Sequence, residues 1–208
     1  MQVTQPINRA GQEVFYGMLW LAGCCVASAL AMGYEFRPGA LGPSTTSWPA
    51  DSAMTRSSQT NTIVAFLHPR CTCSRATVKQ LLRTVAAHPN ATLLVQVFVP
   101  PKPAEQHGWV DGEYARMIRA AVPHARIVPD QGGVEAQRFG ALTSGTMLVY
   151  DSRGTEIFRG GITNRRGGED DNPGLRYFTK VLSGGEGIAH ADPSPVFGCP
   201  LVINEQHS

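Results

Sequence analysis

Between Thr62 and Leu182 the spacing of apolar residues changes several times, and each change marks an element. Thr62–Leu67 (TIVAFL) and Ala91–Val99 (ATLLVQVFV) are charge-free runs rich in β-branched residues, the pattern of strands buried on both faces. Between them Val78, Leu81, Leu82 and Val85 recur at helical spacing and predict a helix over Ser74–His88. Glu113–Val122 reads as a helix, Ala125–Val128 as a short strand and Val134–Phe139 as a short helix. Thr146–Tyr150 and Thr155–Arg159 flank Asp151-Ser152-Arg153-Gly154, residues suited to the turn of a β-hairpin. Asn172-Pro173 is a helix start, with asparagine as cap and proline at the first helical position. That helix carries Leu175, Phe178 and Leu182 and stops at Gly184-Gly185. Strands alternating with helices, then a hairpin and a last helix, predict an α/β domain with a mixed central sheet over residues 61–185.

The N-terminal pattern is different. After a polar segment, 1–13, the stretch Val14–Gly33 runs twenty residues without a charge. At about 1.5 Å per residue it spans roughly 30 Å, one hydrocarbon thickness, and predicts a transmembrane helix. Two other readings stay open. Ala29-Leu30-Ala31 resembles a signal-peptidase site, and Leu21-Ala22-Gly23-Cys24 resembles a lipoprotein box with Cys24 lipidated. All three export the rest of the chain, and the first makes the protein single-pass with its C-terminal domain extracytoplasmic. Residues 34–60, rich in Pro, Ser and Thr and without periodicity, read as a linker, and 186–208 as a C-terminal tail.

Charge and composition narrow the function. Eighteen basic against sixteen acidic residues give a net +2 over 208 residues, with no basic block of the kind nucleic acid requires. No GxGxxG, Walker, HExxH or GxSxG motif occurs, so nucleotide and hydrolase chemistry find no support. Five cysteines are too few and too scattered for a disulfide scaffold: Cys24 and Cys25 in the apolar stretch, Cys71 and Cys73 together, and Cys199 alone.

The chemistry points to Cys71. It lies where a strand ends and a helix begins, and a thiol there is acidified by free N–H groups and the helix dipole. Arg70 and Arg75 add positive charge nearby, and His68 is a candidate proton-transfer group. Cys73, two residues on, is the candidate resolving thiol. Residues so spaced do not face each other on a helix, so a bond between them needs non-helical backbone.

This order of elements, with a cysteine motif after the first buried strand, resembles the thioredoxin superfamily over residues 61–185. Phe66 to Cys71 matches that family's strand-to-nucleophile spacing, and Phe139–Gly161 (FGALTSGTMLVYDSRGTEIFRGG) resembles the segment entering its last two strands. The resemblance implies a thioredoxin-like three-layer fold, Cys71 as attacking cysteine, and Ser144, Gly145 and Thr146 as the loop that meets substrate. Three departures stand out. The family's CxxC is here a CxC, with Ser74 at the second cysteine position. Its cis-proline position falls on Gly145, and its buried acid falls near Ala65.

Three functions fit these residues. The first is thiol–disulfide exchange on protein partners outside the cytoplasm, by Cys71 and Cys73 without a cofactor, with Cys199 an alternative resolving thiol if the tail folds back. The second is binding of a soft metal, Cu(I), through His68, Cys71 and Cys73, completed by Cys199 or His107. Glycine in place of the proline, thought to shield such cysteines from metals, speaks for it. The third is a thioredoxin-like module used only for protein contacts. The glycine-rich charged loop 165–171 reads as solvated.

Overall fold

A computed structural model of the chain describes residues 9–102, 108–184 and 193–202. These form two compact units, Met1–Arg37 and Pro38–Ser208. Within the first, α1 (Arg9–Glu35) contains the whole apolar stretch and keeps its side chains exposed, Trp20 and Leu30 among them. It is one N-terminal helix long and apolar enough to cross a membrane.

The second unit is built on five strands, β1 (Thr62–Leu67), β2 (Thr92–Val99), β3 (Arg126–Gln131), β4 (Thr146–Tyr150) and β5 (Glu156–Gly160), in the order β3-β2-β1-β4-β5. β1, β2 and β3 run parallel, and β4 and β5 are antiparallel neighbours on the other side of β1. The helices are α2 (Ser74–Ala86), α3 (Glu113–Ala121), α4 (Val134–Arg138) and α5 (Pro173–Leu182).

Alternate residues of the charge-free strands serve opposite faces, which is why those strands tolerate no polar side of the usual kind. Ile63, Ala65 and Leu67 of β1 join Leu93, Val95 and Val97 of β2 in one core beneath α2, α3 and α5. Val64, Phe66, Leu94, Leu148 and Tyr150 form the other, closed by Ala136 of α4, by Phe139, and by two segments outside the expected domain.

Those segments correct the linker and tail assignments. From Pro38 onward the stretch expected as linker belongs to the domain. Trp48 packs edge-on against Phe139 and Tyr150, Met54 is buried, and Glu156 N–H donates to the Thr46 carbonyl at 2.9 Å. The tail also returns: Val196, Phe197 and Leu201 are buried, and Gly39 N–H donates to the Val196 carbonyl at 2.8 Å. A single apolar anchor every six or more residues holds such a strap, and this leaves no period to read in the sequence. The hairpin and the last helix form as expected. Asp151 carboxylate accepts from Arg153 and Thr155 N–H, and Asn172 caps α5 by accepting from Leu175 N–H at 2.9 Å. β3 runs three residues beyond its expected end. There Asp130 is buried and accepts the N–H groups of Glu135 and Ala136 at the start of α4.

Candidate active site

After β1 the chain turns at His68-Pro69-Arg70, with Cys71 N–H donating to the His68 carbonyl at 3.0 Å. Ser74 N–H then donates to the Cys71 carbonyl at 3.0 Å, so the cysteines occupy a tight turn and α2 starts one residue after Cys73. Tyr114 of α3 fixes the same turn, its hydroxyl donating to the Cys71 carbonyl at 2.7 Å.

Cys71 was expected at a helix mouth. It lies at the mouth but is covered, with 1 % of its surface exposed. The cover is the returning tail. Ser144 N–H donates to the Cys199 carbonyl at 2.8 Å and Leu201 N–H to the Leu142 carbonyl at 2.9 Å, a short antiparallel pairing about Thr143 and Pro200. This laps the tail over the loop before β4 and brings Cys199, half-buried, near enough to Cys71 for its thiol and backbone to favour ionisation there.

A hydroxyl chain joins the loop before β4 to the start of α2. His68 N–H donates to Ser144 Oγ at 2.7 Å, and Ser144 Oγ lies 2.7 Å from Ser74 Oγ, both serines being buried. Burial pushes the Cys71 thiol up, but the bonds from Cys199, from Ser74 and from their N–H groups outweigh it and hold the thiol below its ordinary value. Burial and the charge on Cys71 push Cys73 the other way, with Arg166 offsetting only part. Cys199 is pushed up to about 12, first by burial and then by the bond it gives to Cys71 and by that sulfur's charge. Of these three thiols, Cys71 is the one whose ionisation its surroundings favour.

The assisting residues are arranged differently from expectation. Arg70 lies over the Trp109 ring, 4.3 Å from its centre, and Arg75 pairs with Glu113. The cation that acts on the thiols is Arg166, from the loop expected to be merely solvated. It donates to the Gly198 carbonyl at 2.8 Å and bonds Cys73. Nothing in its local sequence marks it, because the contact depends on the tail. His68 stacks on Phe98 at 5.2 Å, and its Nδ1 accepts from Arg70 N–H at 3.2 Å. Burial and then the Arg70 charge lower its pKa, so it is the neutral imidazole. Among the described residues no three His, Cys, Asp or Glu side chains are grouped to hold a metal ion. His107, expected as a candidate fourth ligand, lies outside the described residues.

Gly145 is the pivot of the loop. Its φ of +94° is closed to proline, and its N–H donates to the Phe66 carbonyl at 2.8 Å, a bond proline cannot make. Thr146 begins β4 opposite Phe66. The parallel β1–β2 pair bridged by α2, the antiparallel β4–β5 hairpin and closing α5, with a cysteine turn leading into α2, form one arrangement around the sheet. The domain has the thioredoxin-like fold.

No protein-family model matches the chain, and no curated protein matches it. Among solved structures it is similar to a hypothetical protein of Sinorhizobium meliloti, at 17 % identity and a TM-score of 0.59, covering 80 % of this chain and 100 % of that one. It is also similar to an uncharacterized conserved protein of Geobacillus kaustophilus, at 16 % identity and a TM-score of 0.55, covering 82 % and 91 %. A thioredoxin-like protein of Aeropyrum pernix matches at 15 % identity and a TM-score of 0.47, covering 78 % and 97 %.

The tail cover on this thioredoxin-like domain has a measurable consequence. A Cβ built on Gly198 would stand 2.0 Å from the Ser144 carbonyl oxygen, so Gly198→Ala must displace the tail. Maleimide labelling of Cys71 in the reduced protein is expected to speed up about ten-fold, the effect of roughly 1.4 kcal/mol lost from the closed state. An unchanged labelling rate means that the tail does not cover the thiol.

Proposed function

We propose that this protein carries out thiol–disulfide exchange on protein partners, with Cys71 as the attacking sulfur. The observation that carries the reading is the place of that thiol, in a tight turn directly before α2 and beside Ser74 and Cys199, which hold its pKa below the ordinary value. A buried thiol in apolar surroundings is raised and inert, whereas one supplied with donors is held as the nucleophilic thiolate. In the reaction, Cys71 thiolate attacks one sulfur of a partner disulfide and expels the other as thiolate. A second thiol of the protein then attacks Cys71, releasing the reduced partner and leaving an internal disulfide. The partner gains two electrons and the protein loses two; the reverse sequence oxidises a dithiol. The thioredoxin-like fold supports this reading, as does the nearness of Cys73 and of Cys199 to Cys71.

In this reading α1 remains as a membrane anchor and the domain works outside the cytoplasm, where disulfides persist. The test is a titration of the reduced protein through glutathione buffers of graded potential, with thiols trapped by alkylation at each step. Cys71 is expected to pass reversibly between the free and disulfide-bonded states. If it stays alkylatable at every potential, the exchange reading is wrong.

A further inference from the structure

We propose that Cys199, carried in by the C-terminal tail, is the thiol that resolves the mixed disulfide on Cys71, and that Cys73 is not. The inference rests on the exchange reading and names its second sulfur.

Geometry carries it. Cys199 lies beside Cys71 at the start of α2, and its backbone is clamped on either side. Its carbonyl accepts from Ser144 N–H at 2.8 Å, Leu201 N–H is held by Leu142 at 2.9 Å, and the Gly198 carbonyl is held by Arg166 at 2.8 Å. Gly198 lets the tail run this close, since any side chain there would collide with Ser144. Cys73 also bonds Cys71, but it sits at helical angles (φ −64°, ψ −29°) directly before α2. A Cys71–Cys73 bond must reshape that turn, because residues two apart in a helical backbone point away from each other. A Cys71–Cys199 bond joins two segments that already lie together.

Electrostatics times the step. Cys199 stays protonated chiefly because it is buried and next because the Cys71 thiolate faces it. Once Cys71 is bonded to a partner that negative charge is gone, and Arg166 remains to favour a Cys199 thiolate. Loss of that charge makes Cys199 easier to ionise when the mixed disulfide forms, while its burial persists until the tail lifts. Cys199 thiolate then bonds to Cys71, the Cys71–partner bond breaks, and the partner sulfur leaves with the electron pair. The tail has to lift to admit the partner, and the new bond draws it back.

Trypsin makes the two pairings distinct, because Arg70 and Arg75 confine Cys71 and Cys73 to one peptide, CTCSR, while Cys199 lies in another. The full-length protein in detergent is equilibrated with oxidised glutathione, alkylated, digested and mapped by mass spectrometry. The expected product is CTCSR linked to the Cys199 peptide, in wild type and in Cys73→Ser alike. In Cys199→Ser the linked product is lost at least ten-fold and glutathione accumulates on Cys71. A looped CTCSR peptide two hydrogens lighter, or glutathione persisting on Cys71 of the wild type while Cys199 is alkylated, overturns the assignment and leaves exchange at Cys71 standing. Cys71 free of both glutathione and disulfide throughout refutes the exchange reading itself. The wild-type map decides the pairing whether or not Cys199→Ser folds well.

Discussion

Cys71→Ser is expected to abolish disulfide exchange, lowering the rate by at least about 100-fold, because a serine hydroxyl is not ionised where a donor-stabilised thiol is. The substitution keeps an acceptor for the N–H groups of Ser74 and Cys199, so the turn should hold and the loss be chemical. Reduction of a protein disulfide followed by turbidity or by thiol trapping measures it. Ser74→Ala provides the graded counterpart. It removes one donor from the Cys71 sulfur and leaves Ser144 with His68 N–H alone. Because Cys71 in the folded protein sits below the ordinary thiol value, its reactivity is expected to persist as pH falls from that value and to be lost as pH passes through the depressed pKa. In Ser74→Ala the midpoint of Cys71 alkylation against pH should therefore move up. A profile that does not move would remove the hydroxyl chain from the account.

The largest effect on stability is expected at Arg159, far from the thiols. Its guanidinium and the Glu156 carboxylate are both buried, at 6 % and 7 % side-chain exposure, with Nη2 on Oε2 at 2.6 Å and Nε on Oε1 at 2.9 Å. Arg159 also donates to the Phe139 carbonyl at 2.9 Å, tying β5 to the chain after α4. Ser44 and Tyr150 hydroxyls donate to Glu156 from the other side, so this carboxylate also holds the N-terminal strap. Arg159→Ala leaves a buried carboxylate without its counter-ion and should cost about 3–5 kcal/mol, read from the denaturant midpoint. Changing both residues, as Arg159→Met with Glu156→Gln, should cost less than the sum of the two single changes. Strict additivity would mean that the pair is not coupled.

The neighbouring solved structures share fold alone at 16–17 % identity, so the reading of function rests on the thiol site and its donors. Much of the fold was written in local pattern. Charge-free runs gave β1 and β2, helical spacing gave α2, and the Asp151–Gly154 turn and the Asn172-Pro173 start gave the hairpin and α5. Each of these is decided by residues within a few positions of one another, where periodicity and turn chemistry act. Cys71 was legible for the same reason, as a thiol between a strand and a helix.

The surroundings of that sulfur were not legible. Ser74 meets Ser144 across seventy positions, Cys199 meets Cys71 from the far end of the domain, and Arg166 joins them from a loop that reads as solvated. The strap after Pro38 likewise carries only Trp48 and Met54 as anchors. By itself the sequence determined the elements, the sheet and the place of one cysteine between a strand and a helix, because short-range sterics and burial specify these. The tertiary structure alone decided that this cysteine is covered and which donors and thiols share its charge, because those contacts exist only once distant segments have been brought together by closure of the two cores.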